Sequence, residues 1–148
     1  MFFLKATEIN LSNNEISQLP DDIFIFAEKL YELNLGNNSI SFLPDNIFDR
    51  NNNLRNLTLK DNLISNLTRV YLDNVYYLDV NNNQINTVSS DGYNNQLKTL
   101  DIGNNQLTDF PPSLLQNQLQ YFYARNNMIK TNLLDLSGSP SYGQYSSP

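Results

Sequence analysis

Asp79 and Asp101 each close a Leu-Asp pair, Leu78-Asp79 and Leu100-Asp101, and two carboxylates at such a regular separation are suited to two kinds of chemistry. One protonated and one ionised carboxyl flanking a glycosidic oxygen would hydrolyse it. Two ionised carboxylates side by side would attract a cation or the Lys or Arg of a partner. The chain has no histidine and no cysteine, so imidazole general bases, Ser/His/Asp and Cys/His nucleophile pairs, thiolate or imidazole metal sites and disulfides are all excluded. A metal would also need more oxygen ligands than the pattern around Asp79 and Asp101 supplies. Neither glycine-rich phosphate-binding spacing occurs among the five glycines, so no nucleotide cofactor is implied. What remains is a socket for a basic side chain, with diagonal neutralisation by Lys60 and Arg125 as its ordinary alternative. Tyrosine is the other informative residue type. Tyr77, Tyr121 and Tyr123, with Tyr31 and Tyr76 beside them, are the kind of rigid aromatics that anchor protein partners, although tyrosine also simply favours strands.

These residues are positioned by a repeating element. Asn14, Asn38, Asn62, Asn83, Asn105 and Asn127 follow one another at spacings of 24, 24, 21, 22 and 22. Aligned on them, the chain reads Ala6-x-x-Ile9-x-Leu11-x-x-Asn14-x-Ile16, then Leu30, Leu33, Leu35, Asn38, Ile40, then Leu54, Leu57, Leu59, Asn62, Ile64. It continues Val75, Leu78, Val80, Asn83, Ile85; Leu97, Leu100, Ile102, Asn105, Leu107; and Leu119, Phe122, Ala124, Asn127, Ile129. Apolar residues two apart point to the same side of a strand, so the residues between them face the other way. One coil cannot bury its own inward face; stacking the coils aligns the strands in a parallel sheet and closes a shared core.

This pattern resembles that of the leucine-rich-repeat family, L-x-x-L-x-L-x-x-N-x-L, over roughly residues 6 to 132, with Ala6 and Ala124 its weakest positions. Leu19-Pro20-Asp21-Asp22-Ile23-Phe24 and Leu43-Pro44-Asp45-Asn46-Ile47-Phe48 are similar to the convex half of the 24-residue class, whereas the third to fifth repeats are shorter and lack the Ile-Phe pair. The resemblance implies an α/β, right-handed solenoid with a parallel β-sheet on its concave face and short helical or irregular convex segments. It implies about six repeats, at 6–29, 30–53, 54–74, 75–96, 97–118 and 119–136, after an edge segment at 1–5 and before a disordered tail at 137–148. It also implies that the Asn column is a ladder of side-chain amides bonding the backbone of their own and the neighbouring coil. Asn82, one residue earlier, is expected to face solvent and to tolerate alanine.

In that arrangement Glu8, Glu32, Asn56, Tyr77, Thr99 and Tyr121 form one outward file, and Asn10, Asn34, Thr58, Asp79, Asp101 and Tyr123 the next. A third file holds Ser12, Gly36, Lys60, Asn81, Gly103 and Arg125. Tyr77, Asp79, Thr99, Asp101, Tyr121 and Tyr123, flanked by Tyr31 and Tyr76, are the expected binding residues on the concave face. The expected partner is a protein or peptide, one with a basic segment included; the net charge of −6 disfavours nucleic acid and anionic membrane surfaces. An open groove offers no catalytic cleft, so no enzyme activity and no cofactor are expected, and a carboxylate-based hydrolase is the remote alternative. A receptor ectodomain or secreted recognition protein is favoured over an intracellular scaffold or regulatory subunit by the 24-residue repeats. The sequons at Asn10, Asn37, Asn56 and Asn66 add nothing, since about four arise by chance in a chain this rich in Asn, Ser and Thr. No apolar run reaches the length of a membrane span.

Overall fold

The computed structural model describes residues 3–67, 74–89, 96–109 and 119–130. Among them, six three-residue strands make one parallel sheet: β1 (Glu8–Asn10), β2 (Glu32–Asn34), β3 (Asn56–Thr58), β5 (Tyr77–Asp79), β7 (Thr99–Asp101) and β8 (Tyr121–Tyr123). Two further strands, β4 (Asn66–Leu67) and β6 (Thr87–Val88), pair on the far side of the coils. Strand order in the main sheet follows chain order, which is the signature of a solenoid. Pairing is in register throughout, Ile9 on Leu33 on Leu57 on Leu78 on Leu100 on Phe122. The central residue of each strand points inward and is buried, while its two neighbours are more exposed.

The core is a stack of like on like. Leu35, Leu59, Val80 and Ile102 are fully buried, as are Ile40, Ile64, Ile85 and Leu107 two residues beyond the ladder. Each such side chain contributes roughly 1.5–3 kcal/mol. At the two ends of the described array the same positions are only half-buried, at Leu11, Ile16, Ala124 and Ile129; among the described residues each has a neighbouring coil on one side only.

No helix occurs among the described residues. The convex returns of the first two coils are runs of turns at 21–26 and 45–50. Bonds from Ile23 to Pro20, Ile25 to Asp22 and Ala27 to Phe24 recur in the second coil at Ile47, Asp49 and Asn51. They fall on alternate residues, so no continuous helical ladder forms, and of the two expected forms the irregular one is present. Phe24 and Phe48 stack across these turns with centroids 6.1 Å apart, and Phe3 lies against Phe24 at 6.3 Å. The end of the sixth expected repeat and the expected tail at 137–148 lie outside the described residues.

Candidate functional site

Two columns of short polar side chains fix the outward face. In the first, the Asn38 amide donates from Nδ2 to the carbonyls of Leu11 in the preceding coil and Leu35 in its own, while its Oδ1 accepts the N–H of Ile16. Asn62, Asn83, Asn105 and Asn127 repeat this arrangement, with Oδ1 taking the N–H of Ile40, Ile64, Ile85 and Leu107. These bonds satisfy backbone groups that the turn after each strand would otherwise bury unpaired. Asn14 differs: its Nδ2 reaches only Leu11 and Ser12 of its own coil, no coil preceding it among the described residues.

The second column was not read from the sequence. Asn13, Asn37, Asp61, Asn82, Asn104 and Asn126 all have φ between 52° and 59°, the left-handed region. Asn and Asp tolerate that region better than other residues with a side chain. Their side chains also link coil to coil, Asn37 to Asn13, Asn82 to Asp61 at 2.6 Å and Asn126 to Asn104. Asn82 is exposed, as expected, but a left-handed backbone and a bond to Asp61 weigh against its tolerating alanine. The signal in the sequence is the Asn-Asn pair in five of the six turns, with Asp61-Asn62 in the other.

On this framework Tyr77 lies beside Thr99 and Thr99 beside Tyr121, while Asp79 lies beside Asp101 and Asp101 beside Tyr123. The tyrosines stand out most, Tyr121 being 57% exposed, Tyr123 44% and Tyr77 38%; Thr99, Asp79 and Asp101 sit half-buried between them. Tyr31 and Tyr76 are exposed just before β2 and β5. The Arg55 guanidinium lies over the Tyr76 ring at 5.0 Å and is itself held by the carbonyls of Asn52, Leu54 and Asn74. Tyr76 is thus supported by a fixed cation, whereas the other rings project freely.

Each carboxylate is tied by one oxygen. Asp79 Oδ1 accepts the N–H of Asn81, and Asp101 Oδ1 accepts the N–H of Gly103 and the side-chain amide of Asn81 at 2.9 Å. The same turn is capped at Asn10 and Asn34 by an uncharged amide oxygen accepting the N–H of Ser12 and of Gly36. An uncharged oxygen thus caps the same turn, so the fold does not need a charge at this position. The charge has a cost: burial lifts the Asp79 carboxyl above the usual range, against the Asn81 N–H, and neighbouring Asp101 pushes it further. Lys60 pulls it back through space by less than Asp101 pushes, so Lys60 does not cancel the effect of Asp101 on Asp79. Burial, then Asp79 and Asp101, also raise the Tyr77 hydroxyl, which keeps it a neutral hydrogen-bond donor.

Sequence profiles of the leucine-rich repeat match residues 5–64 and again residues 96–117. The chain is a leucine-rich-repeat protein. Among curated proteins none matches it. Solved leucine-rich-repeat structures do. An LRR protein of Leptospira interrogans superposes with a TM-score of 0.74 at 28% identity, over 82% of this chain and 32% of that one. The TLR13–ssRNA13 complex gives a TM-score of 0.74 at 28% identity, over 81% and 18%. The Drosophila Toll–Spatzle complex gives 0.74 at 25% identity, over 84% and 18%. This leucine-rich-repeat chain spans less than a third of each of those longer chains. The leucine-rich-repeat fold is commonly a protein-binding module and typically not an enzyme.

Proposed function

We propose that this leucine-rich-repeat chain is a non-catalytic binding module that seats an extended protein segment carrying Lys or Arg against Tyr77, Asp79, Thr99, Asp101, Tyr121 and Tyr123, with Tyr31 and Tyr76 at the flank. The observation that carries this reading is the Asp79–Asp101 pair. The Asp79 charge is costly at a position where Asn34 caps the equivalent turn, Asp101 lies beside it, and exposed rings surround the two. The rings supply apolar area that a partner covers, and the acids supply attraction during approach. Membership of a receptor ectodomain or secreted recognition protein is supported by the likeness to the Toll-type structures; the absence of cysteine supports the second reading, an intracellular scaffold or regulatory subunit. RNA, present in the TLR13 complex, is the other partner class, and the net charge of −6 and the acidic pair both oppose it.

The test is selection from a randomised peptide library on the immobilised chain, followed by binding kinetics. Selected peptides are expected to be enriched in Lys and Arg. Tyr121→Ala should mainly speed dissociation, at a cost of about 2 kcal/mol. Asp79→Asn with Asp101→Asn should mainly slow association and flatten its salt dependence. Asp21→Asn, on a convex turn, should change neither rate. Affinity that responds to the convex change and ignores the concave ones would sink the reading.

A further inference from the structure

Just before each strand of the main sheet, one residue per coil forms a further file along the rim: Thr7, Tyr31, Arg55, Tyr76, Lys98 and Gln120. From Tyr31 onward each donates its N–H to the carbonyl of the one before it, Tyr31 to Thr7, Arg55 to Tyr31, Tyr76 to Arg55, Lys98 to Tyr76 and Gln120 to Lys98. The file therefore steps from coil to coil at the strand spacing of about 4.8 Å. Over four coils it alternates aromatic and cationic side chains, and it holds no carboxylate, in a chain whose net charge is −6.

Arg55 is the fixed member of this file. Its Nη1 donates to the carbonyls of Asn52, Leu54 and Asn74, and its guanidinium lies 5.0 Å from the Tyr76 ring centroid. Those bonds use one of its three nitrogens. Among the described residues, Nε and Nη2 donate to no acceptor and no carboxylate forms an ion pair with Arg55. Glu32, the residue after Tyr31, accepts instead from Asn56 Nδ2 at 3.4 Å. Arg55 is half-buried, yet neither free nitrogen is shut away from solvent, since the one side-chain polar atom buried without a partner among the described residues is Asn51 Oδ1. The Nε–Nη2 edge of a guanidinium excludes Nη1 and presents two parallel N–H groups, the fork that matches two carboxylate oxygens. Partial burial is unfavourable for a charge without a counter-charge, and an arriving carboxylate offsets that cost. The three carbonyls and the ring hold the fork in place beforehand, so little ordering is left for binding to supply. One fork suits a singly charged, planar carboxylate; a phosphate dianion calls for more positive charge than Arg55 supplies.

We propose that Arg55, between the exposed Tyr31 and Tyr76, binds a carboxylate whose two oxygens accept from Nε and Nη2 while its carbon stem lies against the tyrosine rings. The carboxylate belongs either to an Asp or Glu side chain or to a chain terminus. The site does not rest on the acidic pair at Asp79 and Asp101; it gives the rim of the sheet a receptor of the opposite sign. In the isotope-labelled full chain at low salt, Nα-acetyl-glutamate methylamide and Nα-acetyl-alanine are titrated separately, with Nα-acetyl-glutamine methylamide as the uncharged control. The Arg55 Nε–H and the Tyr31 and Tyr76 ring resonances are followed by NMR. Saturable shifts at Arg55 and at a ring with a carboxylate, and none with the glutamine derivative, are expected. Response to the glutamate derivative includes acidic side chains among the ligands, and response to acetyl-alanine alone assigns a chain terminus. Arg55→Lys keeps the charge and a donor for the three carbonyls but loses the fork, and should weaken binding about threefold in a chain that still melts cooperatively. Asp79→Asn with Asp101→Asn should leave the shifts in place, so this site and the function proposed above fail separately. The proposal is overturned if the glutamine derivative shifts the resonances as far as the carboxylates, if Arg55→Lys binds as tightly, or if inorganic phosphate binds more tightly than either carboxylate.

Discussion

At the scale of single residues, adjacent asparagines do different work, and mutation should separate them. Asn83→Ala removes four bonds, three donated to the carbonyls of Leu59, Val80 and Asn81 and one accepted from Ile64, and should destabilise by about 1–3 kcal/mol in a denaturant titration. Asn82 has φ of 54°, so Asn82→Ala should cost about 1–2 kcal/mol through the backbone, whereas Asn82→Gly, which accepts that conformation freely, should cost less. An alanine milder than glycine at 82 would remove the left-handed assignment. Asp79 gives the opposite sign. Its folded-state pKa is raised, so its ionised form opposes folding above that pKa and the penalty fades as pH falls through it toward the unfolded value. Asp79→Asn keeps the cap seen at Asn34 and should therefore raise the melting temperature slightly near neutrality, with the gain vanishing in acid. A variant more stable and less able to bind would show that the charge at 79 serves recognition. None of this cost was legible in the sequence, because burial and the neighbouring charge exist only once β5 and β7 are paired.

At the scale of elements, each strand is short, and its position depends on the turn that follows. Gly103 shows how tightly that turn is built: a Cβ there would lie 2.8 Å from Asn81 Nδ2 and 3.1 Å from Asp101 Oδ1, inside the bond that joins them. At Gly36 the nearest approach is 3.2 Å, to Asn34 Oδ1. Gly103→Ala should therefore cost about 1–3 kcal/mol and release the Asp101 carboxylate, while Gly36→Ala should cost less, as thermal melts of the two variants would show. The strands and their inward columns were legible from Leu-x-Leu alone, since a period of two admits one assignment of faces. The outward files follow from the same rule, which brings Tyr77, Asp79, Thr99 and Tyr121 together on one face. The convex side was less legible. Leu-Pro-x-x-Ile-Phe announced a turn and a buried ring, but whether such a turn winds into a helix depends on consecutive bonds that a six-residue motif does not specify. Asn51 was not legible in the sequence, because its partners are the carbonyls of Phe24 and Ala27 in the preceding coil.

At the scale of the whole molecule, each strand of the main sheet pairs with that of the next coil, so local stability should follow the number of neighbours. Amide hydrogen exchange should be fast in residues 3–20 and near 119–130, where Leu11, Ile16, Ala124 and Ile129 are half-buried, and slowest in the coils carrying Leu57, Leu59, Leu78 and Val80. Uniform protection would mean that the coils open together. The in-register stack also has a mechanical consequence. The strands lie across the long axis, so tension applied along that axis would load one inter-coil seam at a time, in peeling rather than in shear. A 24-residue coil drawn out straight adds about 80 Å of contour and a 21-residue coil about 70 Å. Under a force probe the molecule would therefore lengthen as a sawtooth of two step sizes, a physical readout of the order in which long and short coils were laid down along the chain.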